Sequence, residues 1–184
     1  IDITPEARNK IAAGLPLFSR NADDGVRSKG YPAKAAIIAT FLNDVPLKNH
    51  TSYKAAKAGD VEAAYTLVND LVKPENIAAA NKLGSDVIYV PVRAQEATGN
   101  NQIPHALAMH YASNTGGLID TGIFQSNKAF HTGANAMQRL LARANFTGKV
   151  QAGKNYVLVD DVSTMGSTLA DLSSYIQSNG GQVV

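Results

Sequence analysis

Cysteine and tryptophan are both absent from the 184 residues. Without cysteine there is no disulfide scaffold and no thiolate metal centre, and the redox compartment stays open. Charge is sparse as well: 17% of residues are charged, 17 basic against 15 acidic, for a net +2. With no long Lys/Arg cluster, that balance offers no stripe for a phosphate backbone, so nucleic acid is not an expected partner. Apolar runs are short, residues 35–39 being among the longest, and no segment approaches a membrane span. The first residue is Ile1 and no secretory pattern follows it, which suggests a fragment or processed piece of something longer.

What is present suits a folded α/β domain. At 45% hydrophobic residues, the chain is long enough for one sizeable core. Residues 1–30 read as an appended segment, with Thr4 capping a short helix from Pro5 and a polar linker over 21–30. Residues 35–41 are helix-like or buried, and Pro46 punctuates the next boundary. From 50 to 72 the apolar spacing is helical, interrupted at Gly59-Asp60, where two helices meet and Asp60 caps the second. A short helix over 74–83 stops at Gly84. Then strand and helix alternate. Strands are expected at 86–92, within 118–124, at 157–159 and from 182, with helices at 103–113, 133–145 and 167–177. Such alternation implies a doubly wound parallel sheet with ligands gathered beyond the carboxyl ends of its strands.

Chemistry concentrates in residues 157–169. An apolar strand ends in Asp160 and Asp161, and a turn of Ser163, Thr164, Met165, Gly166, Ser167 and Thr168 leads into a helix. Free amides of such a turn and helix start suit a phosphate. The two carboxylates suit ribose hydroxyls and stand within reach of a Mg²⁺. Other proteins also place acids after an apolar strand. A P-loop partner fails here, because Gly148-x4-Gly153-Lys154 is followed by Asn155 and precedes a strand. A receiver domain would need more chain beyond Asp161. A plain surface turn leaves the composition of 163–168 unexplained.

The same thirteen residues resemble the phosphoribosyl-pyrophosphate (PRPP) signature of type I phosphoribosyltransferases: an apolar run, two acids, two apolar or small residues, then a Thr-x-Gly-x-Thr-like turn. Two further elements are similar to the ComF-like (amidophosphoribosyltransferase-related) branch. One is Gly99-Asn100-Asn101-Gln102 before a helix, with Asn100 where that branch carries Phe. The other runs from Phe124 through Lys128 and His131 to Arg139, Arg143 and Asn145. The resemblance covers residues 86–184.

It implies a phosphoribosyltransferase-like core over about 85–184 under a helical hood at about 31–84. It further implies transfer of phosphoribose from PRPP to a nitrogen acceptor, a small molecule, with release of pyrophosphate and with Mg²⁺ as cofactor. Asp160 and Asp161 would hold the ribose and, through water or the ribose hydroxyls, the metal. Residues 163–168 would hold the 5-phosphate, and Val92, Arg93 and Ala94 the pyrophosphate. Lys128 and His131 would close over the site as a lid. An enzyme of this class is expected in the cytoplasm, and a homodimer is compatible with it.

The basic loop is sparse for the family, which leaves open a catalytically silent module that binds PRPP or a nucleotide. The phrases Ile3-Thr4-Pro5-Glu6-Ala7-Arg8 and Gly14-Leu15-Pro16-Leu17-Phe18-Ser19-Arg20 resemble junctions in very large phage-borne multidomain proteins, which adds a phage or toxin effector domain of a larger polyprotein as a third reading. His50, His105 and His110 lack metal-ligand spacing and read as structural. Tyr53, Lys54 and Lys57 read as an exposed helix face, with a place toward the nucleophile's pocket as the alternative.

Overall fold

The computed structural model describes residues 30–36, 38, 40–41, 43–93, 100–126, 144–161 and 167–184. The expected N-terminal helix and linker over 1–29 lie outside these, as do Ala94, the loop carrying Lys128 and His131, and residues 163–166 of the phosphate turn.

The sheet is built from β1 (Val87–Pro91), β2 (Leu118–Ile119), β5 (Asn155–Val159) and β6 (Gln182–Val183) in the order β2-β1-β5-β6. Every pair in it is parallel. A separate two-stranded antiparallel ribbon joins β3 (Phe124–Gln125) to β4 (Phe146–Thr147). It is tied to the end of β1 by the Gln125 amide donating to the Arg93 carbonyl at 2.8 Å.

Helices lie on both faces. Alternate residues of β1 point to opposite sides, as a strand's two-residue period requires. Val87 and Tyr89 join a core with Leu67 and Val68 of α3 (Val61–Leu71), Ala80 of α4 (Pro74–Asn81), and Ile103 and Leu107 of α5 (Ile103–Thr115). Ile88 and Val90 join the opposite core with Tyr156, Leu172 and Ile176, the last two from α6 (Ser167–Ser178). Strands covered on both faces read as near-continuous apolar runs, and β1 is buried at all five positions. The molecule is therefore an α/β protein with a four-stranded parallel sheet.

Two shorter helices, α1 (Val45–Asn49) and α2 (Tyr53–Lys57), precede α3. The break at Gly59-Asp60 has the expected cause: the Asp60 carboxylate accepts the Ala63 amide at 3.0 Å and caps α3. Pro46 marks the expected boundary as the start of α1, because a missing N–H costs nothing in the first turn of a helix. Residues 35–41 contain no helix among their described positions. At the far end of α5, Gly116 takes φ 75°, and its amide closes onto the Ala112 carbonyl at 3.0 Å.

Candidate functional site

The order of strands fixes where a ligand can sit. From β1 the chain passes through α5 to β2 on one side; from β5 it passes through α6 to β6 on the other. The direction of winding reverses between β1 and β5. Loops leaving the carboxyl ends of two such strands diverge to opposite faces, and the crevice between them is the customary binding place in open α/β sheets. Val92 and Arg93 follow β1, and Asp160 and Asp161 follow β5. The Val92 amide donates to the Val159 carbonyl at 2.7 Å, so the two strand ends are held directly side by side.

Asp161 is 9% exposed and is the hub of this crevice. Its Oδ2 accepts from the Lys57 ammonium at 3.0 Å and from the Asn101 side-chain amide at 2.9 Å. Asn101 uses its other end locally, its Oδ1 accepting the Ile103 amide at 3.1 Å at the start of α5. One residue along, the Gln102 amide donates to the Ala56 carbonyl at 3.1 Å, which pins α2 to the start of α5. Three elements distant in sequence thus meet at a single carboxylate oxygen.

Asp160 differs from its neighbour. Its Oδ1 accepts the Asp161 amide at 2.9 Å. Burial, and then the adjacent Asp161 charge, push its carboxyl up to about 7. For Lys57, burial alone would depress the ammonium, but the Asp161 carboxylate overrides it and leaves its pKa raised.

Arg93 donates to the Thr121 carbonyl at 3.0 Å, which directs its guanidinium toward the β2–β3 turn. His105, in the first turn of α5, is held below the usual imidazole value by burial and by the nearby Arg93 charge. His50 and His110 pair with Asp70 and Asn69 at 3.1 Å within the helical layer, in keeping with structural roles.

Of the expected site residues, the structure brings together Asp160, Asp161, Val92 and Arg93 around one crevice. Thr168 lies in the first turn of α6, and Ser167 is its first residue. Asn101, quoted in the sequence only as part of the Gly-Asn-Asn-Gln element, proves to be a partner of Asp161. Lys57 lies on an exposed face, as expected, and its ammonium still reaches the same oxygen. No local signal announces that contact, because the two residues stand 104 positions apart.

Among the described residues no three His, Cys, Asp or Glu side chains gather as a metal centre. Mg²⁺ commonly takes one or two carboxylates and completes its octahedron with water and substrate phosphates. Asp160 and Asp161 are the two carboxylates of the crevice that could take part in such a site. Beside them, on the face that carries α5, a cavity of about 600 Å³ extends under residues 31–36, 38, 40 and 41.

No protein-family profile matches the chain. Over 140 residues, 75% of its length, it is 43% identical to Protein TraN of Escherichia coli, of which the match spans 31%. Over 172 residues, 91% of its length, it is 36% identical to an uncharacterized protein of Haemophilus influenzae, of which the match spans 38%. The chain therefore spans about a third of the length of these relatives. Neither name states an activity. Among the described residues no helix is long and apolar enough to cross a membrane.

Proposed function

We propose that the protein is a PRPP-dependent phosphoribosyltransferase, moving phosphoribose to a nitrogen acceptor with release of pyrophosphate. The observation that carries this reading is the pair Asp160–Asp161 at the carboxyl end of β5, at the reversal point of the sheet, with the Val92–Arg93 strand end bonded beside it. Such a place offers carboxylates to a sugar diol and two loop ends to its two phosphates.

The reaction breaks the C1–O bond to pyrophosphate through a transition state with positive charge on the ribose ring. It demands alignment and electrostatics more than covalent catalysis. In this reading Asp161, fixed by Lys57 and Asn101, holds a ribose hydroxyl in one orientation. Asp160 takes the second hydroxyl. Thr168 stands at the start of α6, where a helix of this length favours an anion. Arg93 needs only to exchange the Thr121 carbonyl for a diphosphate oxygen, a stronger, charge-assisted partner. Mg²⁺, when bound, would neutralise the leaving diphosphate, with Asp160 and Asp161 holding it through water or the ribose hydroxyls.

Calorimetry with PRPP and Mg²⁺ tests the binding half, and pyrophosphate release with a panel of nitrogen acceptors tests turnover. The double substitution Asp160→Asn with Asp161→Asn is expected to weaken PRPP binding by at least about tenfold with the fold retained. Unchanged affinity in that variant would overturn the assignment. The engagement of Arg93 with the Thr121 carbonyl favours one second reading, a module that binds PRPP without turning it over. Binding with no release across the whole panel would select it.

A further inference from the structure

The cavity beside the carboxylates has a chemistry of its own. At about 600 Å³ it falls within the usual size of small-molecule sites, roughly 300–1,000 Å³. Val157 of β5 and Leu107 of α5 line it, together with Tyr89 and Tyr111, whose rings lie within 10° of parallel with centroids 6.0 Å apart. The hydroxyls of both tyrosines are bonded to protein partners: Tyr111 to Thr40 at 2.6 Å, and Tyr89 to Thr115 at 3.1 Å. The body of the cavity is thus aromatic and aliphatic, while Asp160 and Asp161 bring their carboxyl groups to its wall.

We propose that this cavity is the acceptor site and that its ligand is a planar aromatic amine, with its ring between half-buried Val157 and residues 31–36 and its nitrogen toward the carboxylates. The word acceptor rests on the phosphoribosyl-transfer reading; the ligand class rests on the cavity. A base ringed by donors and acceptors would leave several of them unpaired against Val157 and Leu107, at about 1–3 kcal/mol each. An amine on an apolar ring needs partners at one edge only, the edge where the carboxylates are. In the transfer, the amine nitrogen forms the new bond to ribose C1 as the C1–O bond to pyrophosphate breaks. The diphosphate leaves with the bonding electron pair, and the surplus N–H proton passes to the carboxylate pair and on to solvent.

The test uses the full chain with 6-aminoquinoline and hypoxanthine as probes, each titrated by calorimetry alone, and with PRPP and Mg²⁺ titrated separately. The cavity-filling variant Ala35→Phe acts from the non-helical segment that lines the cavity, away from the packed helices. Expected are binding of 6-aminoquinoline at least about tenfold tighter than hypoxanthine, a loss of at least about tenfold in Ala35→Phe, and PRPP affinity within about twofold of the parent. Equal or tighter hypoxanthine binding, no 6-aminoquinoline binding to the parent protein, or unchanged binding in Ala35→Phe would each overturn the inference. If PRPP fails to bind while 6-aminoquinoline binds and Ala35→Phe removes it, the phosphoribosyl reading falls and the aromatic-amine site stands.

Discussion

Strands β1 and β5 lie side by side, parallel and paired over five residues each, and both are largely apolar. Yet β1 is buried at every position, whereas β5 buries only Tyr156 and Val159 and leaves Asn155, Val157 and Leu158 half-buried. The face that carries α5 supplies much of the difference. Both Tyr89 and Val157 border the cavity, but packing by α5 covers Tyr89 completely and leaves Val157 half-buried. An apolar run reports that a strand is covered on both faces, but not how tightly. Here tight packing belongs to the strand that holds the sheet's shape, and loose packing to the strand whose end carries the acids. The same economy appears at the strand ends: Arg93 is turned onto a carbonyl of its own chain, while Asp161 is gripped by residues from two distant elements.

The contrast can be broken most forcefully at Tyr89. It is fully buried, stacked on Tyr111 and bonded to Thr115. Tyr89→Ala is expected to cost about 3–5 kcal/mol, the range for removing a large buried aromatic side chain. Urea denaturation followed by circular dichroism measures it. A loss below about 1 kcal/mol would mean that α5 does not hold this face of β1 as tightly as the contacts indicate.

The end of β5 makes the next two predictions. A carboxyl raised to about 7 from an ordinary 3.8 favours the native state when protonated. That stability is fully present below about pH 4 and is lost as the pH climbs through about 7. Asp160→Asn keeps the neutral form and an oxygen for the Asp161 amide at every pH. In EDTA the variant is therefore expected to be more stable than the parent by about 2 kcal/mol at pH 8, with the gain vanishing near pH 4. Thermal melts across that range check it; a gain independent of pH would refute the burial argument. Lys57→Met acts in the opposite direction. It leaves the buried Asp161 carboxylate without its ammonium, but Lys57 is 41% exposed and the pair is partly screened. The expected loss is about 1–2 kcal/mol at pH 7, larger in low salt than in high salt. Denaturation at two ionic strengths would show a salt-independent loss if the Lys57 stem's packing, and not its charge, were responsible.

Much of this architecture is legible in local sequence because its signals are local. The Asp60 cap follows a glycine, β1 is an unbroken apolar run, β5 is one after Asn155, and Gly116 and Gly180 stand just past the ends of α5 and α6, both at positive φ. The two acids after β5 were also legible, since strand, acids and turn are contiguous. Short or distant features were not. The strand β4 has two residues, too few for a period, and exists because the Phe124–Gln125 segment pairs with it. Pro46 carries opposite meanings at the end and at the start of a helix, and composition alone does not choose between them. The grip of Lys57 on Asp161 depends on α2 docking against the start of α5 through the Ala56 carbonyl, a contact no spacing rule encodes.

The smallest effect gives the sharpest comparison, because it holds the chemistry constant. Val90 of β1 is fully buried against the α6 face, and Val157 of β5 is half-buried at the cavity wall. Truncating a buried valine removes its transfer free energy and adds the cost of a void; a side chain that already borders open volume adds little new void. Val90→Ala is accordingly expected to cost about 2–3 kcal/mol and Val157→Ala about 1 kcal/mol or less, both read from urea midpoints at a common slope. Equal losses would mean that the cavity beside β5 collapses in solution and that the two strands are packed alike. A smaller loss at Val157, with the slope unchanged, would show that the protein keeps open volume beside the strand that carries its acidic pair.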